Sequence, residues 1–166
     1  MSTSDRHETV ITVKSEQETI ALAAWIAERS QPGTVLALDG DLGAGKTRFS
    51  QAFAAAIGVA GVVNSPTFTI IKEYEGTKLP FYHMDVYRVS MPEADELGLD
   101  DYFFGEGVTI VEWASLIEPL LPPHRLELYI EHCGGEERRM TWTGIGQPYA
   151  AWCRQLEQMG AITDES

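Results

Sequence analysis

Gly40-Asp41-Leu42-Gly43-Ala44-Gly45-Lys46-Thr47 matches the pattern G-x-x-x-x-G-K-[S/T] at every required position. Glycines in such a loop let backbone N–H groups turn inward around a phosphate, and the helix that follows offers its positive end to the same anion. Lys46 is then the group that reaches the β- and γ-phosphates, and the Thr47 hydroxyl completes a Mg²⁺ shell. The pattern carries weight only between a strand and a helix. Val35-Leu36-Ala37-Leu38 precedes it, apolar without alternation, as in a strand buried on both faces. A helical pattern follows from Lys46 to about Ile57. Strand, glycine-rich turn and helix in this order are the unit of an α/β nucleotide-binding domain.

Upstream of this unit, Val10–Val13 reads as a short β-branched strand, and Ser15 with Glu18 as a capping box. The box opens an amphipathic helix with Ile20, Leu22, Ala23, Trp25, Ile26 and Ala27 on its inner side, stopped by Pro32-Gly33. Downstream, Phe68–Tyr74 and Phe81–Val86 read as two strands around Glu75-Gly76-Thr77, a link short enough for an antiparallel hairpin. Pro92–Leu97 starts as a helix should, with proline and acids in the first turn. Val108–Val111 is a further apolar strand, followed by a short helix ending before Pro122-Pro123. Leu126, Leu128 and Ile130 alternate with polar or amphipathic residues. Cys133–Glu137 reads as a loop, Met140–Thr143 as the returning strand, and Tyr149, Trp152, Leu156 and Met159 as a helical stripe. The expected fold is α/β: a single P-loop NTPase-type domain with a mixed, mostly parallel sheet, flanking helices and a late antiparallel hairpin. Residues 1–8 are expected to form a disordered tail, 9–160 the domain and 161–166 an acidic tail.

Composition narrows the function. In 166 residues, 12 Lys and Arg stand against 25 Asp and Glu, a net charge of −13 that argues against direct grip on a phosphate backbone. Any RNA role is expected to be indirect, through a partner. The longest apolar or Gly/Ala stretch, Ala52–Val63, is too short and glycine-rich to span a bilayer, and the first six residues lack the apolar segment of a secretory signal. Cys133 and Cys153 have neither metal nor redox spacing, so a reduced cytosol is the expected compartment.

A phosphate loop needs acidic and hydroxyl groups from other strands. Asp85 ends the run Phe81-Tyr82-His83-Met84, where a Walker-B-type Mg²⁺ acid belongs, although an aspartate there can also simply cap a strand. Period-two alternation puts His83 on the same face, as a functional group or as a packed core histidine. Glu112 ends Val108–Val111 at the carboxyl edge where α/β sheets bind ligands, and can orient water or join the metal's outer shell. Trp113 can stack on a ligand or belong to the core. Thr67, in Asn64-Ser65-Pro66-Thr67, can order on a γ-phosphate as a switch or sit in a Ser-Pro turn. Lys46, Asp85 and Glu112 are therefore the expected catalytic residues, with Thr47, Asp85 and Glu112 around the metal. No obvious catalytic arginine stands out; Arg48 and Arg88 are available.

The phosphate loop, Ser65-Pro66-Thr67-Phe68, His83-x-Asp85-x-Tyr87-Arg88 and Val111-Glu112-Trp113 together resemble the TsaE (YjeE) family, over about Val10 to Thr143. The resemblance implies a mixed α/β P-loop fold, ATP and Mg²⁺ as ligands, and weak hydrolysis by the chain alone. It also implies association with a TsaD–TsaB heterodimer that installs threonylcarbamoyl on adenosine 37 of ANN-decoding tRNAs. Thr47 and Glu112 are then candidates for the Mg²⁺ environment, Asp85 for Mg²⁺ or water, and Thr67 for the switch threonine. The base pocket falls around Glu16 and Gly135-Glu136. Many members carry an acid two residues after the tryptophan, where this chain has Ser115. Three other readings compete. A P-loop small-molecule kinase needs an arginine-bearing lid, for which Arg138-Arg139 is the nearest approach. A nucleotide-gated binding module would scarcely hydrolyse, and a GTPase would need the absent Asn-Lys-x-Asp motif.

Overall fold

The computed structural model describes residues 5–41, 45–61, 63 and 70–159. Strand β1 (Arg6–Val13) leads into helix α1 (Glu16–Arg29). The Ser15 side chain caps α1 by accepting from Glu18 N at 3.2 Å. Glu18 reaches back to Lys14 N at 2.6 Å instead of to the cap's own N–H, so only half of the expected box forms. Thr19, Leu22, Ala23, Ile26 and Ala27 are buried. Ile20, expected inside, is 45% exposed, because it lies at the margin of that stripe. Strand β1 also begins before Val10, where the sequence places its start. Arg6, His7 and Glu8 pair antiparallel with Ile145, Gly144 and Thr143, so backbone bonding orders residues whose side chains give no apolar signal.

Strand β2 (Val35–Gly40) is central, and helix α2 (Lys46–Ala56) follows it. Strands β3 (Ile71–Tyr74) and β4 (Phe81–Asp85) form the expected antiparallel hairpin. Helix α3 (Met91–Asp95) begins with a full capping box from Ser90 and Glu93 and is shorter than the predicted span. A second short helix, α4 (Leu99–Phe103), was not anticipated, since five residues carry too little periodicity to register. Strand β5 (Val108–Glu112) precedes a 3₁₀ segment, Ala114–Leu120. Strands β6 (Arg125–Gly134) and β7 (Glu137–Ile145) extend almost to each other, so the predicted five-residue loop is a two-residue turn, Gly135-Glu136. Helix α5 (Tyr149–Gln158) closes the described chain.

The sheet order is β1-β7-β6-β2-β5-β4-β3. The four central strands β6, β2, β5 and β4 are parallel; β3 at one edge and the β7–β1 pair at the other are antiparallel. Both faces are covered, as the β2 sequence requires. Leu36 and Leu38 pack into the core with Phe49, Phe53 and Trp142, whereas Val35 and Ala37 pack with Met84, Phe103 and Ile117. Burial of each of the larger apolar side chains among these contributes about 1.5–3 kcal/mol. β2 and β6 approach closely at the end of β2. Gly40 has φ +152°, and a Cβ there would lie 2.4 Å from the Ile130 carbonyl oxygen. No helix among the described residues is long and apolar enough to cross a membrane.

Candidate functional site

Parallel pairing brings three strand ends together. Glu112 of β5 is in register with Leu38 of β2 and with Asp85 of β4, so the carboxyl edge presents Asp39, Glu112 and Asp85 on adjacent strands. Gly45 turns the chain into α2 with φ 113°. α1 and α3 start with side-chain caps and acids, but α2 has neither a capping side chain nor an acid in its first turn. Its positive end is left for another anion.

Lys46 is 5% exposed. Its Nζ donates to the carbonyls of Gly40 at 3.2 Å and Asp41 at 2.9 Å, and lies 4.0 Å from the centre of the Trp113 ring. Burial pushes the Lys46 pKa down, while the fields of Glu112, Asp39, Asp41 and Asp85 oppose that shift. Trp113 adopts φ 65°, a left-handed conformation uncommon outside glycine, with its N–H bonded to Leu38 O at 2.8 Å. Its ring is half-buried between Lys46 and Tyr87, the latter 4.7 Å away.

Glu112 is 2% exposed and gathers three donors. Thr47 Oγ1 donates to its Oε1 at 3.4 Å; Ser50 Oγ at 3.3 Å and His83 Nε2 at 2.6 Å donate to its Oε2. Because an ionised carboxylate only accepts, the His83 proton is assigned to Nε2. Asp85 is half-buried and accepts from Tyr87 N at 3.0 Å. Burial raises its pKa, with the Glu112 charge adding to the shift and the Tyr87 N–H, His83 and Lys46 opposing it. Asp39 accepts from the backbone N–H of Ser115 at 3.1 Å and from its hydroxyl at 2.9 Å. A carboxylate at position 115 could not donate that hydroxyl bond.

A cleft of about 270 Å³ opens beside Gly45, lined by Glu16, Thr19, Arg48, Ile130, Glu136, Arg138 and Met140. Arg48 pairs with Glu16 there, and Glu16 N donates to Glu136 Oε1 at 3.3 Å. The start of α1 and the late hairpin, far apart in sequence, thus meet next to the phosphate loop. Leu42, Gly43, Ala44 and Thr67 lie outside the described residues. Arg48 faces the cleft and Arg88 is exposed after β4; among the described residues neither bonds to Glu112, Asp85 or Lys46. Sequence reasoning overlooked Ser50, Asp39 and the role of Arg138 in the cleft. The three-residue spacing from Thr47 could have found Ser50, and strand alternation could have separated Arg138 from the exposed Arg139.

Residues 13–140 match the family described as Threonylcarbamoyl adenosine biosynthesis protein TsaE. The chain is 51% identical over 148 residues to the tRNA threonylcarbamoyladenosine biosynthesis protein TsaE of Bacillus subtilis, covering 89% of this chain and 93% of that protein. It is 35% identical over 129 residues to the protein of the same name from Rickettsia conorii, covering 76% and 73%. The crystal structure of YdiB from Bacillus subtilis superposes with a TM-score of 0.79 at 45% identity, covering 93% of this chain and 97% of that one.

Proposed function

The chain belongs to the TsaE family, and from that premise we propose that it is a Mg²⁺-dependent ATPase, weak alone, that acts on a TsaD–TsaB complex as a nucleotide-driven conformational factor in tRNA threonylcarbamoyladenosine formation. The observation that carries the reading is the convergence of Lys46, Thr47 and Glu112 at the carboxyl edge of β2 and β5. Lys46 holds the β- and γ-phosphates, Gly40–Thr47 wrap them, and Thr67 senses the γ-phosphate. Glu112 and Asp85 organise the attacking water and the metal's surroundings. The cleft beside Glu16 and Glu136 takes the adenine.

The donor set suits Mg²⁺. Thr47 Oγ1 and Glu112 Oε1 are hard oxygen donors 3.4 Å apart, with Asp85 on the neighbouring strand. Among the described residues no group of three or more His, Cys, Asp or Glu forms a protein-only cage. Mg²⁺ takes one or two carboxylates and completes its shell with phosphate oxygens and water. When bound, the ion neutralises charge developing on the phosphates. Among the described residues no arginine bonds to Glu112, Asp85 or Lys46, and in this reading the partner completes the electrostatics. The charge of −13 favours docking on protein over gripping tRNA, and a reduced cytosol suits both cysteines.

The test is ATP hydrolysis by the purified chain, alone and with the TsaD–TsaB pair, with and without Mg²⁺. A low rate raised by the pair, and lost in Lys46→Ala, is expected. A rate indifferent to the pair, or phosphate delivered to a metabolite, overturns the reading.

A further inference from the structure

We infer that His83 and Ser50 are positioning residues for Glu112: together they fix Oε2, so that Oε1 alone is presented toward Thr47. The inference rests on the Mg²⁺–ATP reading above. Both bonds to Oε2 are made where water does not compete, since His83 and Ser50 are 0% exposed. Three elements converge to make them. Ser50 lies one helical turn from Thr47 on α2, so the two hydroxyls share a face and reach opposite oxygens of one carboxylate. His83 comes from β4, two residues before Asp85.

The imidazole has little other reason to be polar. It stacks on Phe81 at 5.7 Å, and its Nδ1 has no hydrogen-bond partner among the described residues. Burying a ring with one nitrogen orphaned is unfavourable, and its one hydrogen bond among the described residues is the 2.6 Å bond to Glu112. An apolar side chain would fill the same space without that penalty. Carboxylates near metals are commonly oriented by such outer partners, whose loss weakens metal binding about 10- to 100-fold.

The experiment uses the full chain. ATP binding is measured by calorimetry in a chelator and across a Mg²⁺ titration, for the wild type, His83→Leu, His83→Gln and Ser50→Ala. His83→Leu is expected to raise the Mg²⁺ concentration for half-saturation by about tenfold or more while metal-free ATP affinity holds. Ser50→Ala is expected to shift it less in the same direction. His83→Gln, which keeps a donor near the Nε2 position, is expected to fall back toward wild type. A change of equal size with and without Mg²⁺, or none, overturns the inference in favour of simple packing. Should His83→Leu fail to fold, Ser50→Ala and His83→Gln decide on the same criteria. By NMR, the wild type is expected to show an exchange-protected His83 Nε2 proton that disappears in Glu112→Ala. If the wild type gains no ATP affinity from Mg²⁺, the proposed function fails; the proton signal then decides the positioning role, its absence overturning it and its presence upholding it.

Discussion

Two cations are buried at opposite ends of the parallel strands, and they are held in opposite ways. Arg125, at the amino end of β6, is 8% exposed. It bonds through Nε to Glu127 Oε2 at 2.8 Å and through Nη1 to the Pro122 carbonyl at 2.9 Å, with Glu118 3.7 Å from Nη2. Its charge is matched where it stands. Lys46, at the carboxyl end of β2, is bonded to two carbonyls and an aromatic face, and no carboxylate among the described residues lies within ion-pairing distance. Four carboxylates act on it only through their fields. A buried cation matched by fixed partners is a finished piece of structure. One left with carbonyls and distant carboxylates has capacity for an anion that the described residues do not supply.

That contrast separates variants that lose function from variants that lose stability. The largest effect is expected at Glu112. Glu112→Ala should lower Mg²⁺-dependent hydrolysis in the assembled complex by about 10²-fold or more while the protein still folds. A steady-state rate equal to wild type would return Glu112 to the merely structural residues. Next comes Lys46→Ala, which removes a charge-assisted contact to phosphate and should weaken ATP binding roughly 10- to 100-fold by calorimetry. Its urea midpoint should change little, because the two carbonyl bonds it gives up are offset by relief of a buried charge. A stable variant with unchanged ATP affinity would break the comparison outright.

How much of this was legible in the sequence divides along the same line. The strand and the helix on either side of the glycine-rich stretch were readable because glycine, lysine and unbroken apolar runs are local signals. The pairing of Glu112 with Asp85 across β5 and β4 was only half readable: each acid marks a strand end, but nothing local says the two strands are neighbours. The Ser50 and His83 bonds were out of reach for the same reason, since an oxygen's partner depends on packing between elements. Arg6–Glu8 in β1 show the converse failure, because an edge strand held by backbone bonds needs no apolar pattern. Nothing local in the sequence marks Arg125 as buried, because Pro122 and Glu127 come to hold it only through packing.

Arg125→Met sharpens the second arm of the contrast. It discards bonds to Glu127 and Pro122 while retaining much of the apolar stem, and should cost about 1–2 kcal/mol in urea unfolding. ATP affinity should be unchanged. A matching loss of affinity would mean that the two ends of the sheet are coupled, and that the division between structural and functional cations is false.

The smallest effect is expected at Asp85, where the sign carries the information. Burial, reinforced by the Glu112 charge, raises the pKa of this carboxyl in the folded protein. The group therefore costs no stability below its unfolded-state value of about 3.9, and the cost of ionising it grows as pH rises through the raised folded value. Asp85→Asn keeps an oxygen to accept from Tyr87 N and removes that cost. The metal-free variant should match wild type in urea unfolding near about pH 3.5 and exceed it near pH 7, by under about 1 kcal/mol because the site is half open to solvent. With Mg²⁺ and ATP present the advantage should shrink or reverse, since the ion favours the charged acid. A variant less stable than wild type at both pH values would place Asp85 with Arg125, among groups whose charge the fold has already matched.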